Sequence, residues 1–398
     1  MTQASATAGR GVRVLHSFPH RLGAGRICDT AFYEVAGAAN AGADVTVMPA
    51  SLARTVPDGV TVRPTLARGS VRVPYRVIGE LRALRAHDHI VARRLARSRQ
   101  RPDVVHVWPL GALRTLEVAK RLGIPTVLER PNTHTRYAYE TVRAECERLG
   151  VPLPADHEHA FNETVLRIEE AEYDLADHLL CPSDFVAGTF ERAGYSPDRL
   201  VRHLYGYDPA VFTPGEPPAP GQPLRMLYVG VAAVRKGLHF ALEAWLRSPA
   251  SSSGTFTVAG DLLPAYGEKL KDQLAHPSVQ VLGHRSDIPE LMRLHDVLVL
   301  PSIEEGSALV CNEAIGSGCV PLVSDAASGV CHHEVNALVH PVRDVDALAA
   351  HITAVNADRG LLRALREQGL AHAADITWSA AGRRLADIYS EVALVPAR

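Results

Sequence analysis

The sequence predicts an α/β protein made of two doubly wound, Rossmann-like parallel sheets, and three observations lead there. Short runs rich in Val and Leu recur roughly every 20–40 residues with helix-length segments between them, the spacing of parallel strands joined by crossover helices. These runs form two series, separated by FTPGEPPAPGQP (212–223), a Pro- and Gly-rich stretch without periodicity that marks a linker. A chain of 398 residues also exceeds what one ordinary core holds. The expected division is a first domain over 1–214, a linker over 215–223 and a second domain over 224–378. A last helix over about 379–398 needs a surface for Leu385, Ile388, Tyr389 and Val392, on its own domain or the other.

In the first series, strands are expected at VRVLHSF (12–18), DVTVMP (44–49), DVVHVW (103–108), PTVLER (125–130), HLLCPS (178–183) and RLVRHL (199–204). HRLGAGRICDT (20–30) turns from the first strand into a helix through Gly23 and Gly25. It falls short of a dinucleotide fingerprint, because the third glycine position is Cys28 and DVTVMPAS ends without a ribose-gripping acid. YRVIGELRALRAHDHIVARRLARSRQR (75–101) is an amphipathic helix with Val77, Ile78, Leu81, Leu84, Val91 and Leu95 on one side. Its Arg-rich face suits either solvent or anionic lipid, and packing on its own sheet with the arginines solvated is the favoured reading. In the second series the strands are RMLYVG (225–230), TFTVAG (255–260), VQVLG (279–283), VLVLPS (297–302) and VPLVS (320–324).

Composition narrows the function. Apolar residues make up 46% and charged residues 22% of the chain, as in a globular protein. A formal net charge of -2 argues against general nucleic-acid binding. No run of eighteen apolar residues occurs, and MTQASATAGR lacks a signal-peptide core, so a cytoplasmic location is expected. The six cysteines have no C-x-x-C spacing and are expected as thiols.

Residues 301–318, PSIEEGSALVCNEAIGSG, are the most informative stretch. A strand ending at Pro301 must turn sharply into a helix starting near Ser307, and Gly306 lets the backbone close in on a ligand. The free amides of Ser307, Ala308 and Leu309 would then form an anion site at the helix N-terminus. Glu305 before the helix and Glu313 within it would flank that anion and accept hydrogen bonds from hydroxyls. A diphosphate with sugar hydroxyls on either side is a nucleotide-sugar. In the same predicted sheet, GVAAVRKG (230–237) places Arg235 and Lys236 at a strand–loop–helix mouth suited to a diphosphate. VLGHRSDIPELMRLHD (281–296) adds Gly283 and a helix capped by Ser286 or Asp287, whose loop could hold a base edge.

PSIEEGSALVCNEA resembles the P-S-x-x-E-G-x6-E-A signature of glycosyltransferase family 4, retaining enzymes of GT-B architecture. The order of GVAAVRKG, VAGD (258–261), VLGH (281–284), SDAASG (324–329) and NALVHP (336–341) supports it, as do CPSDFV (181–186) and GYDPAVFTP (206–214). TWSAAGRRLADIY (377–389) is similar to a closing helix that crosses back to the first domain. The resemblance implies a metal-independent glycosyltransferase with no cofactor, acting on a nucleotide-sugar donor and an unidentified acceptor. It implies that Glu313 holds the ribose hydroxyls, Glu305 the donor sugar's hydroxyls, and Lys236 the diphosphate together with the amides after Gly306. Gly230, Gly283 and His284 belong to the donor-binding segments, and Gly25 matches a small-residue loop that nears the donor phosphate on closure. His134, in ERPNTHT (129–135), is similar to a histidine placed near the donor sugar, with Arg130, Arg136 and Tyr137 as acceptor-side candidates. Glu304 competes with Glu305, but only 305 gives the family spacing. One departure stands out: an arginine that family members place after the glycine matching Gly230 is Val231 here, so either Arg235 substitutes for it or Lys236 and the helix dipole carry the charge stabilisation.

Two rival readings follow, a nucleotide-sugar-binding partner subunit of weak activity, motivated by Val231, and a sugar-nucleotide epimerase of the same architecture. Asp344 and Asp346 are expected as helix caps rather than a metal motif. His332-His333 and His157-x-His159 lack a third ligand at useful spacing. A monomer or homodimer is expected.

Overall fold

The computed structural model describes residues 11–69, 71–72, 78–219, 221–395 and 397. The first sheet is formed by β1 (Arg13–Leu22), β2 (Asp44–Leu52), β3 (Thr61–Val62), β6 (Val104–Val107), β7 (Thr126–Glu129), β8 (His178–Cys181) and β9 (Leu200–Arg202). A two-stranded ribbon of β4 (Ala67–Arg68) and β5 (Val71–Arg72) stands apart. The second sheet holds β10 (Arg225–Val229), β11 (Thr255–Ala259), β12 (Val279–Gly283), β13 (Val297–Leu300), β14 (Val320–Ser324) and β15 (Leu338–His340). Strand orders are β3-β2-β1-β6-β7-β8-β9 and β12-β11-β10-β13-β14-β15, and every pairing in both sheets is parallel. In each sheet the order reverses next to the first strand. Such a reversal opens a crevice at the carboxyl ends of the strands, where open α/β sheets bind ligands.

The central strands are Val/Leu runs because both faces are covered: VLVL (297–300) and VPLVS (320–324) are buried along their whole length. Local chemistry sets the helix ends. Ser183 accepts from the Val186 amide at 3.1 Å and Asp344 from the Ala347 amide at 2.8 Å, so Asp344 is a cap as expected, whereas Asp346 stands in the first turn and pairs with Arg247. The helix Glu80–Arg97 buries Leu84, Val91 and Leu95 and leaves Arg93 and Arg97 exposed, which matches packing on its own sheet; Val77 lies outside the described residues.

Two helices blur the domain division. The closing helix, Trp378–Ala393, buries Leu385, Ile388, Tyr389 and Val392 in the first domain's core beside Val14, Phe18 and Val35. It crosses the helix Ile27–Asn40 where Gly382 meets Gly37, and a Cβ on Gly382 would lie 2.4 Å from the Gly37 Cα. In the opposite direction, the helix Thr135–Leu149 sends Val142 and Cys146 into the second domain's core. Among the described residues no helix is long and apolar enough to cross a membrane. The six cysteines are free thiols.

Candidate functional site

The loops after β10 and β13 meet at the reversal point of the second sheet. After β10 the chain makes a short 3-10 turn, Val234–Lys236, and closes on Gly237 at φ +70°. A Cβ there would sit 2.0 Å from the Pro301 carbonyl oxygen, so only glycine lets the two loops touch. The contact brings Lys236 Nζ onto Glu305 Oε2 and Arg235 to 3.3 Å from Glu305 Oε1. Arg235 also donates to the Glu304 carbonyl at 3.0 Å. Burial works to raise the Glu305 carboxyl, but Lys236 and Arg235 outweigh it and hold it below the usual carboxylate range.

Glu304 points the other way, into the first domain. Its side chain is fully buried, accepting from Thr133 Oγ1 at 2.7 Å and facing His159 Nε2 at 3.2 Å. Burial opposes its ionisation, yet His159, Arg235 and Thr133 bring it down to about 2. Glu305 thus grips the cations of its own domain, while Glu304 latches the facing one and also stands 3.5 Å from Arg235. Gly306 is explained by the same approach, because a Cβ there would lie 1.6 Å from the Pro131 carbonyl oxygen of the first domain. Ser183 Oγ donates to the Gly306 carbonyl at 3.1 Å. The backbone that closes on Gly306 in this structure is protein rather than ligand.

The helix carrying Glu313 runs Leu309–Ser317 and starts later than expected. Ala308 sits at ψ 84°, outside helical geometry, and the Leu309 amide donates to the Ser307 carbonyl at 2.9 Å. Leu309 therefore drops out of the expected set of free amides, while Ser307 and Ala308 remain at the turn. Glu313 is partly buried and, among the described residues, has no hydrogen-bond or ion-pair partner. Burial pushes its carboxyl up to about 7.

Other expected site residues lie elsewhere. The His134 ring is 3% exposed and packed against Tyr173, Phe190 and Tyr195. Its Nδ1 accepts from the Arg136 amide as the helix cap, and burial pushes the ring down to about 4. Arg130 is removed from the acceptor set, being 2% exposed, paired with Glu169 at 2.9 Å and stacked 4.5 Å over Tyr173. Arg136 pairs with Glu170 on the outer surface, and Tyr137 leans on Phe185. Gly25, at φ +92°, has open space around it, but its loop closes on its own helix through the Gly25 amide and Asp29. Gly230 and Gly283 form the turns after β10 and β12, and His284 is 79% exposed, 3.9 Å from Asp261.

Thr133 and His159 escape sequence reasoning. His159 is weighed there only as half of a poor metal motif, and its partner lies 145 residues away. Thr133 had a usable signal, since it follows the carboxyl end of β7 in a loop facing the cleft.

Residues 223–358 match the family model described as "Glycosyl transferases group 1". The putative colanic acid biosynthesis glycosyltransferase WcaL of Salmonella typhimurium is 29% identical over 195 residues, 44% of this chain and 47% of that protein. The chain thus spans about half the length of that relative. Two solved structures cover nearly everything. Sucrose-phosphate synthase from Thermosynechococcus elongatus aligns over 96% of this chain and 99% of its own at TM-score 0.68 and 18% identity. Anabaena HepE in complex with UDP-glucose aligns over 95% and 99% at TM-score 0.62 and 16% identity. The fold is GT-B, and the resemblance read from the sequence is borne out at that level.

Proposed function

We propose, for a chain with the GT-B fold and the group 1 glycosyltransferase pattern in its second domain, that it moves a sugar from a nucleoside-diphosphate sugar to an acceptor with the anomeric configuration kept. One observation carries the reading. Lys236 and Arg235 converge on Glu305 where the strand order of the second sheet reverses, with the first domain directly opposite. That a solved neighbour, HepE, has been crystallised with UDP-glucose makes UDP-sugars the first donors to try.

The cations are held by carboxylates before the donor arrives. A diphosphate brings two negative charges and draws Lys236 and Arg235 to itself, releasing the Glu305 oxygens to accept from the sugar hydroxyls. The same two cations, with the Ser307 and Ala308 amides, then stabilise the leaving diphosphate, the largest contribution in reactions of this kind. Glu313, without a partner among the described residues, would accept from ribose hydroxyls once ionised. The Glu304–Thr133 and Glu304–His159 contacts hold the two loops together and keep water from the donor. No separate carboxylate is required as nucleophile if the acceptor attacks the face the diphosphate leaves, with the leaving phosphate taking the acceptor's proton.

A second reading keeps one observation in its favour. Val231 is 44% exposed at the mouth of the loop and brings no charge where an arginine was expected. On that reading the chain binds a nucleotide-sugar and turns it over weakly. Thermal shifts with UDP, GDP, ADP and dTDP, then donor hydrolysis with the matching sugars, separate the two. Glu305→Ala is expected to keep nucleotide affinity and lose transfer, whereas Glu313→Ala weakens nucleotide binding. Unchanged turnover in the first variant, or unchanged affinity in the second, overturns the corresponding role.

A further inference from the structure

Behind the cleft, five side chains with no part in the donor site converge inside the first domain. His16 and His106 are register partners at the middle of the neighbouring strands β1 and β6. Glu34 comes from the helix Ile27–Asn40, Glu129 ends β7, and His203 follows β9. Each is 2% exposed or less. The ligating atoms of His16, Glu34 and His106 lie within 4.8 Å of one another, and so do those of Glu34, Glu129 and His203.

Glu34 and Glu129 stand close enough for one shared proton to bond them to each other, and the remaining approaches leave the groups unsatisfied. His16 Nε2 stands 3.5 Å from Glu34 Oε2, His106 Nε2 3.4 Å from Glu129 Oε2, and His203 Nδ1 3.8 Å from Glu34 Oε1. Both ring nitrogens of His16, both oxygens of Glu34, His106 Nε2, Glu129 Oε2 and His203 Nδ1 have no hydrogen-bond partner among the described residues. Buried polar atoms are normally paired, and so many orphans in one place need a cause.

Three of the five, His106, Glu129 and His203, have their other polar atom engaged from outside. His106 Nδ1 meets the Tyr389 hydroxyl at 2.7 Å, and Tyr205 donates to Glu129 Oε1 at 2.5 Å. His203 Nε2 lies 3.2 Å from the Ala381 carbonyl, which can only accept, so Nδ1 keeps its lone pair and presents it to Glu34. In these three, an inward atom left over and a second atom fixed by an outer partner is the pattern of metal ligands, while His16 and Glu34 have no outer partner among the described residues. The 3.5 Å between His16 Nε2 and Glu34 Oε2 is near the roughly 3.3 Å that separates ligand atoms of a tetrahedral ion bound at about 2.0–2.1 Å. Two carboxylates balance one divalent cation, with the imidazoles neutral.

We propose that one divalent transition-metal ion lies among His16, Glu34 and His106, with Glu129 and His203 completing its surroundings. Imidazole with carboxylate suits zinc, manganese, iron, cobalt or nickel rather than calcium or magnesium. The set is closed and dry, so the ion is structural. It ties β1, β6, β7 and the helix Ile27–Asn40 together and, through Tyr389 and Ala381, fastens the closing helix to the first domain. It stands apart from Lys236 and Glu305 and leaves the donor chemistry unchanged.

The test uses the full chain without an affinity tag, grown in metal-supplemented medium and dialysed against EDTA. Mass spectrometry of metals after unfolding in guanidinium is expected to give about one equivalent per chain. Anomalous diffraction at that metal's edge is expected to place a peak among His16, Glu34 and His106. Glu34→Gln and His106→Gln should lose the metal, and His89→Ala, on the exposed surface, should keep it. No metal above background in the wild-type chain overturns the proposal, as does a crystal with Glu34 and Glu129 sharing a proton and no anomalous peak. Should the ligand variants fail to fold, the wild-type content and the peak still decide.

Discussion

At the residue scale, two neighbouring glutamates with opposite allegiances decide how the cleft works. Glu305 is held by Lys236 and Arg235, while Glu304 reaches Thr133 and His159 across the cleft and keeps Arg235 at 3.5 Å. Removing Lys236 takes a charge-assisted partner from the leaving diphosphate, and Lys236→Ala is expected to lower kcat/KM about a hundredfold. Steady-state kinetics with the accepted donor check it. Glu313 gives a pH signature. Its carboxyl, pushed up to about 7, is largely protonated in the free chain below that value. A ligand whose hydroxyls need the ionised form therefore binds more tightly as pH rises through 7. Calorimetry of the bound nucleoside diphosphate should show several-fold tighter binding at pH 8 than at pH 6.5, with Glu313→Gln flattening the difference. The sign for stability is opposite. A carboxyl raised in the folded state costs stability once the pH exceeds its unfolded value, so Glu313→Gln should stabilise the chain at pH 8 by about 2–3 kcal/mol and have little effect near pH 4. Denaturant melts at the two pH values measure this.

At the element scale, each of the eleven expected strands is present, because Val/Leu runs bounded by turn residues on both sides leave little alternative in a parallel sheet. The strands that were missed are short. Thr61–Val62 and Leu338–His340 have two and three residues, too few for a pattern, and exist only because a neighbouring edge accepts them. The meeting of the loops after β10 and β13 was legible from position alone, since Lys236 and Glu305 both follow strands of one sheet. Contacts made across the cleft were not. Nothing near Thr133 or His159 in the sequence points to Glu304, and the buried His16, Glu34, His106, Glu129 and His203 come from separate segments. A histidine where a buried parallel strand should carry Val, as in VVHV (104–107), was the available signal. The closing helix owes its docking to the Gly37–Gly382 crossing. Gly382→Ala places a methyl against backbone that cannot move aside, and is expected to cost about 2–3 kcal/mol. Denaturant titration with hydrogen exchange on residues 378–393 should show that helix released first.

At the scale of the whole molecule, the halves are joined by carboxylates held far below their usual range. Glu145, on the helix Thr135–Leu149, reaches His239 at 3.2 Å and Arg343 at 2.6 Å in the second domain. Burial opposes its charge, but His239, Arg148 and Arg343 bring it down to about 2, close to Glu304 on the other side of the cleft. Folded-state values below the unfolded one contribute stability that is present above about pH 4.5 and lost as the pH falls toward 2. Small-angle scattering should therefore show the domains parting in acid before either sheet unfolds. Glu145→Ala should produce the same opening at neutral pH and cost about 2–3 kcal/mol. A radius of gyration unchanged by either would show that apolar packing alone joins the domains.

The central claim is that a sugar diphosphate is gripped between the loops after β10 and β13. A crystal structure with the tightest-binding nucleoside diphosphate tests it most directly. The expected density places the phosphates against Lys236, Arg235 and the turn after Gly306, with the ribose hydroxyls on Glu313 and the Glu305 ion pairs broken. A nucleotide bound elsewhere, or Lys236 still paired to Glu305 beside an ordered diphosphate, contradicts the account.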